Sequence, residues 1–245
     1  IPSIVAPQPP PSEIGDVESY LKLLRKWRAL AMNTALDLEP SELEVVAREA
    51  GRVGAYVQVH VSETRRLYES RDFELVRKPM ISVHLTHLAK DELLNHATRV
   101  RGIIACPRSN ALLVSKQPSY KALEELASRG YPAGLGTDNA AWQDPDTLSE
   151  ASHLARHGMN PWRALYLATV GSARAMGISY VGIEMGSIPL ALVIEAPLAQ
   201  NPIAAALLRL GPRSLVAGTR IVDIQRCGRE EAEDVARLAG ALLYK

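Results

Sequence analysis

The chain has 245 residues, enough for one large domain or two modest ones, and its 47 % hydrophobic content supplies a sizeable core. With 28 basic and 27 acidic residues the net charge is +1, which leaves no electrostatic footprint for nucleic acid or an anionic membrane. One Phe, three Trp and eight Tyr are too few for stacking successive bases. Cys106 and Cys227 form neither a disulfide framework nor a CxxC zinc motif, and no basic-then-apolar leader opens the chain, so a reducing, cytoplasmic compartment is expected. No apolar run reaches the roughly 20 residues that cross a bilayer. The opening Ile1-Pro2-Ser3, without an initiator Met, is compatible with processing or with a chain that is part of something longer.

In chain order, residues 1–6 suggest a short strand, and the Pro9-Pro10-Pro11 run forces an extended, exposed path. Residues 17–27 form an amphipathic helix with Val17, Tyr20, Leu21, Leu24 and Trp27 on one face. Residues 29–38 are apolar and strand-like, with Asp37 near their end, and a second helix over 41–51 begins with acidic residues. Residues 55–61 alternate, so Val57, Val59 and Val61 share one face while Tyr56, Gln58 and His60 share the other. Strands follow at 80–85, 102–105 and 131–135, with helices at 91–99, 121–129, 148–157 and 161–176 between and after them. Strand and helix thus alternate with short connections from residue 29 to 176, which argues a parallel α/β fold, barrel or open sheet. Beyond Gly177 the character changes to short β segments at 182–190, 192–195 and 214–224, a Gly218-Thr219 turn and a final helix over 230–243.

Polar residues gather where the strands end. His60 with Glu63, His84 with His87, Ser109-Asn110 and Asp138 each sit at or just after an apolar strand. In a parallel α/β fold such side chains converge on one rim. Gly136 lets the backbone approach closely just before Asp138, and Asp144-Pro145-Asp146 starts a turn or helix. Two imidazoles and a carboxylate suit Zn²⁺ or Fe²⁺, and a metal so held lowers the pKa of its water toward about 7. A spare carboxylate such as Glu63 can then shuttle protons. Singly, each residue also has a plain role: strand-end histidine, solvated charge, turn, helix cap. His87, His96, His153 and His157 are assigned to such surface or structural duties.

The segments Val57 to Thr64 (Val-Gln-Val-His-Val-Ser-Glu-Thr), Val83 to Leu88 (Val-His-Leu-Thr-His-Leu), Cys106-Pro107-Arg108-Ser109-Asn110 and Gly134 to Asn139 (Gly-Leu-Gly-Thr-Asp-Asn) together resemble the amidohydrolase superfamily. The similarity is to its chlorohydrolase, cytosine-deaminase and adenosine-type deaminase branch, in an archaeal member lacking its N-terminal part. It runs from residue 29 to 224 and includes Leu165 to Gly177, which resembles the helix after the last barrel strand. The resemblance implies a (β/α)8 TIM-type barrel with a metal at its C-terminal rim. It implies that His60 ligates the metal, Glu63 shuttles protons, His84 contacts substrate or a second metal, and Asp138 binds the metal and acts as base. Ser109 and Asn110 would contact substrate. The implied reaction is hydrolytic deamination or dechlorination of a purine, pyrimidine or related heterocycle by a metal-activated water, with zinc favoured over iron.

The family's first strand ends in a His-x-His pair, and no such pair precedes His60, the first His here. The expectation is therefore an incomplete barrel over residues 1–177, the C-terminal portion of a longer hydrolase, with a remnant of a small β-sandwich and a terminal helix over 178–245. Leu192 falls close to where the family has an Asp, which suggests a reduced sandwich. The partner is a small heterocyclic substrate rather than nucleic acid or membrane, with a homo-oligomer or a missing N-terminal segment as further associations. The alternative is a catalytically silent relative kept as an interaction or structural module. An unrelated open doubly wound sheet is a third reading, but no Gly-rich phosphate loop supports a nucleotide-binding version of it.

Overall fold

A computed structural model of the chain describes residues 6–141 and 144–178, strands at 190–194, 213–217 and 220–223, and the single positions 203 and 207. The chain divides into two compact units, residues 5–179 and residues 1–4 with 180–245. The expected strand over 1–6, the turn at 218–219, the helix over 230–243 and Cys227 lie wholly or mostly outside the described residues.

Five strands build the larger unit: β1 (Ala29–Met32), β2 (Tyr56–Val61), β3 (Ile81–His84), β4 (Gly102–Ala105) and β5 (Ala133–Leu135). They pair in chain order, all parallel. Parallel neighbours need crossovers, and the helices supply them: α1 (Val17–Trp27) leads into β1, α2 (Pro40–Val53) joins β1 to β2, α3 (Arg65–Glu69) lies between β2 and β3, and α4 (Lys90–Arg99) joins β3 to β4. Helices α5 (Pro107–Leu113) and α6 (Tyr120–Ser128) join β4 to β5, and α7 (Thr147–Arg156) and α8 (Pro161–Tyr166) follow. Strand β2 alternates as expected: Val57, Val59 and Val61 are fully buried, while Tyr56, Gln58 and His60 are half-buried on the other face. Each buried Val contributes about 1.5–3 kcal/mol of transfer free energy.

Three expectations need correction. The apolar run from residue 29 stops being strand at Met32, because Thr34 and Asp37 close a capping box around a 3-10 turn, Ala35–Asp37. There the Leu36 amide donates to Thr34 Oγ1 at 3.2 Å and the Thr34 amide to Asp37 Oδ2 at 3.3 Å. Trp27, placed on the buried face of α1, is 47 % exposed; Tyr20, Leu21 and Leu24 carry that face alone. The single helix expected over 161–176 is broken into α8, a π segment (Leu167–Gly171) and α9 (Ser172–Ala175). The break lies where this helix meets strand backbone: Ser172 Oγ donates to the Leu167 carbonyl at 2.7 Å and accepts the Leu135 amide at 3.1 Å. Glycine makes the approach possible, since a Cβ on Gly134 would stand 2.5 Å from Ser172 Cα and one on Gly102 would stand 2.7 Å from Ala175 Cα.

The second unit contains an antiparallel sheet of β6 (Leu190–Ile194), β7 (Arg213–Ala217) and β8 (Arg220–Asp223). The β segment expected over 214–224 is thus two strands of a hairpin.

Candidate active site

The rim at the C-terminal ends of β2 to β5 collects the residues that the sequence singles out. His60 is the penultimate residue of β2 and points away from the buried valines. His84 ends β3, and register sets it beside Val61, not beside His60. Strict alternation would turn it to the face of Ser82, whose hydroxyl meets His96 Nε2 on α4 at 2.8 Å. Instead His84 and Leu85 adopt left-handed backbone, φ 75° and 57°, and the His84 ring stands edge-on to His60 with centroids 4.7 Å apart. Left-handed backbone at a non-glycine residue is strained by about 1–3 kcal/mol, and such strain concentrates where side chains must be aimed.

The same device brings in Glu63. Ser62 is fully buried with φ 46°, and the chain folds back so that Glu63 Oε2 lies 3.8 Å from His60 Nδ1 and 3.8 Å from His84 Nε2. One ligand-type atom from each of His60, Glu63 and His84 falls within 4.8 Å of the others. Among the described residues this is the one group of three or more His, Cys, Asp or Glu side chains close enough to share an ion.

Behind His84 lies a fixed network. Its Nδ1 donates to Asn110 Oδ1 at 3.1 Å, and Asn110 Nδ2 donates to Thr86 Oγ1. With the Asn110 carbonyl oxygen turned toward it, Nδ1 carries the proton and Nε2 keeps its lone pair. That Nε2 is buried and has no hydrogen-bond partner. An orphaned buried acceptor beside a second imidazole and a carboxylate fits a divalent cation of the Zn²⁺ or Fe²⁺ type.

Asp138 follows β5, also with left-handed backbone, φ 61°. It is half-buried and accepts the Ser109 hydroxyl at Oδ2, so it borders the three-residue group without belonging to it. Ser109 and Asn110, for which a simple turn was the plain alternative, lie in the first turns of α5. The Arg108 amide and Nε, at 3.0 and 2.7 Å, both donate to the fully buried Glu150 on α7, and Nη2 donates to the Asp144 carbonyl at 2.9 Å. Asp146 caps α7 by accepting the Leu148 amide, as the turn at 144–146 led one to expect.

Burial sets the protonation balance. Desolvation, then the neighbouring His84, holds His60 below the usual histidine range against the pull of Glu63 and Asp138. Desolvation holds His84 down as well, against the opposing Asn110 bond. The same burial raises Glu63, with His60 opposing and Asp138 assisting. Cys106 is buried and pushed far up, so it is no thiolate nucleophile. His87 contacts Lys116, His96 is buried against Ser82, and His153 meets Tyr120 at 3.0 Å, each in a structural setting. Three participants escape the sequence: Ser62 with Asp72, Thr86, and the Arg108–Glu150 pair. Only Glu150 leaves a trace: it shares the buried stripe of α7 with Leu154, four residues on. A cavity of about 210 Å³ between Pro40 and Arg77 contains none of the rim residues.

A family model described as the amidohydrolase family matches residues 4–219. The chain belongs to the amidohydrolase family. A 5-methylthioadenosine/S-adenosylhomocysteine deaminase of Pelotomaculum thermopropionicum is 29 % identical over 202 residues, covering 68 % of this chain and 45 % of its own length. The corresponding deaminase of Carboxydothermus hydrogenoformans is 30 % identical over 216 residues, covering 74 % and 48 %. This amidohydrolase chain therefore spans about half the length of the curated relatives it matches. Among solved structures, an adenosine deaminase from Xanthomonas campestris with bound zinc superposes with a TM-score of 0.66 at 20 % identity, over 91 % of this chain and 61 % of that one. An atrazine chlorohydrolase from Arthrobacter aurescens complexed with zinc gives 0.64 at 17 %, over 93 % and 59 %. The shared fold is the α/β barrel of amidohydrolases, of which the five parallel strands are a part.

Proposed function

We propose that this chain carries half of the catalytic rim of a divalent-metal-dependent hydrolase that deaminates a small purine-like heterocycle. The observation that carries the proposal is the buried, unpartnered Nε2 of His84, held toward His60 and Glu63 by Asn110. The family membership and the deaminase relatives support the reaction class.

In this reading His60 and Asp138 hold the cation, with zinc favoured, and His84 faces the substrate or the cation from the adjoining strand. When bound, the cation supplies the polarisation that makes water nucleophilic near neutral pH. Glu63, raised by burial, accepts a proton from water and returns it to the departing amine, which leaves as ammonia while the ring carbon gains oxygen. Ser109 fixes the Asp138 carboxylate, and Asn110 fixes the His84 tautomer and borders the substrate space. The enzyme would act in the reducing cytoplasm.

Elemental analysis of the purified chain, beside His60→Ala and Asp138→Ala, tests the proposal. Near one equivalent of zinc or iron, lost in both variants, is the expected result, followed by ammonia release from an adenosine-type nucleoside. No bound metal in any of the three overturns the proposal.

A further inference from the structure

We propose that Asp72 is a positioning residue that holds Glu63 against the two imidazoles by locking the backbone turn at Ser62. Asp72 lies in the short 3-10 turn Asp72–Glu74, ten residues beyond Ser62, and is fully buried. Both of its carboxylate oxygens bond Ser62: Oδ2 accepts the Ser62 amide at 2.7 Å and Oδ1 accepts the Ser62 hydroxyl at 2.6 Å, with the adjacent Phe73 amide also turned to the carboxylate. No basic side chain among the described residues pairs with it; the adjacent Arg71 pairs with Glu74 and Arg65 pairs with Glu69.

A buried carboxylate without a cation is costly, and charge-assisted hydrogen bonds are what offset the cost. Here those bonds converge on the one residue between His60 and Glu63 that is itself strained, Ser62 at φ 46°. Without an external hold, a serine relaxes out of left-handed backbone. The following residue, Glu63, would then swing away from the 3.8 Å contacts it makes with His60 Nδ1 and His84 Nε2. Asp72 touches neither imidazole's pairing atoms nor any reacting group, so it acts only through Ser62. The purpose of the arrangement rests on the reading of Glu63 as proton shuttle; its content rests on geometry alone.

Crystal structures of the full chain and of Asp72→Ala, Ser62→Gly and the double variant test this, with urea melts to establish folding. Alanine accepts neither bond, whereas asparagine could keep both, its Oδ1 accepting the Ser62 amide and its Nδ2 donating to the Ser62 hydroxyl. The expected result is a folded Asp72→Ala chain in which Glu63 leaves both imidazoles, with amide exchange at Ser62 faster by about tenfold or more. Glycine adopts the turn without strain, so the double variant should return Glu63 to its place. Should Asp72→Ala fail to fold, Ser62→Val, which keeps Asp72 but rejects the left-handed turn, must displace Glu63. Where turnover is measurable, kcat falls about 10–100-fold with KM unchanged. Glu63 remaining at 3.8 Å from both rings in folded Asp72→Ala or Ser62→Val, or the double variant failing to restore it, overturns the proposal. An inactive or metal-free chain would overturn the proposed function without touching this structural readout.

Discussion

The two sides of the rim are built by different means. On the β2–β3 side the devices are backbone turns: Ser62, His84 and Leu85 all lie in left-handed conformation, and burial holds His60 and His84 below the usual histidine range while raising Glu63. On the β4–β5 side, Ser109 and Asn110 ride on helix α5, whose start is pinned by a charged pair, Arg108 with Glu150. The first side stores strain and desolvation; the second stores electrostatic attraction. A site that needs an unprotonated imidazole and a fixed amide side chain uses the first means for the imidazole and the second for the amide.

The largest test of this contrast is Glu150→Ala. Glu150 is fully buried, and its loss leaves the Arg108 amide and Nε without their acceptor, while Nη2 keeps the Asp144 carbonyl. Removing one member of a buried pair costs about 3–5 kcal/mol; because Arg108 is 24 % exposed, the lower end, about 3 kcal/mol, is expected in urea unfolding. The His60–His84 contact should survive in the variant while Ser109 and Asn110 shift. Equal disturbance of both sides would show that the rim is one unit and would break the contrast.

Acid should probe the opposite side. His96, beneath β3 and bonded to Ser82, is depressed to about 4, chiefly by burial and then by Arg99. Its folded pKa lies below the usual 6.5, so the unfolded chain takes up the proton first. Stability is therefore fully present above pH 6.5 and falls as pH drops toward 4, by about 3 kcal/mol in all. Urea unfolding across that window should show the slope, and His96→Leu should reduce it by that share, leaving the part due to His153 and the rim histidines, which burial also depresses. A slope unchanged in His96→Leu would place the acid sensitivity elsewhere.

The alternation of parallel strands with helices and the placing of His60, Glu63, His84, Ser109, Asn110 and Asp138 at strand ends were legible because short apolar runs between helical periods mark strands buried on both faces, with period-two alternation in β2. What joins these residues was not. The register puts His84 on the wrong face, and only its φ of 75° corrects it; no residue-type pattern encodes a left-handed histidine. Asp72 reads as a loop charge between Arg71 and Phe73, since its bonds to Ser62 reach back ten residues across the short helix α3. The strand over 29–38 failed for the converse reason: Thr34 and Asp37 offered the backbone a local hydrogen-bonded turn that outcompeted apolar extension.

The smallest effect should come from Ser109→Ala. Ser109 is buried, but the Asp138 carboxylate that accepts its hydroxyl is only half-buried. Water can replace the lost donor at Asp138, whereas none can reach a sealed site such as Asp72. The expected cost is about 1 kcal/mol in urea unfolding, with Arg108, Asn110 and the His84 tautomer undisturbed because their bonds lie on other atoms. The comparison with Glu150→Ala is then internal to α5: one change removes the pin at its start, the other a single contact one residue further on. A loss for Ser109→Ala as large as that for Glu150→Ala would mean that Asp138, with its own left-handed turn at φ 61°, is held by its side chain as Ser62 is. The β4–β5 side would then work by the same strained-turn device as its neighbour.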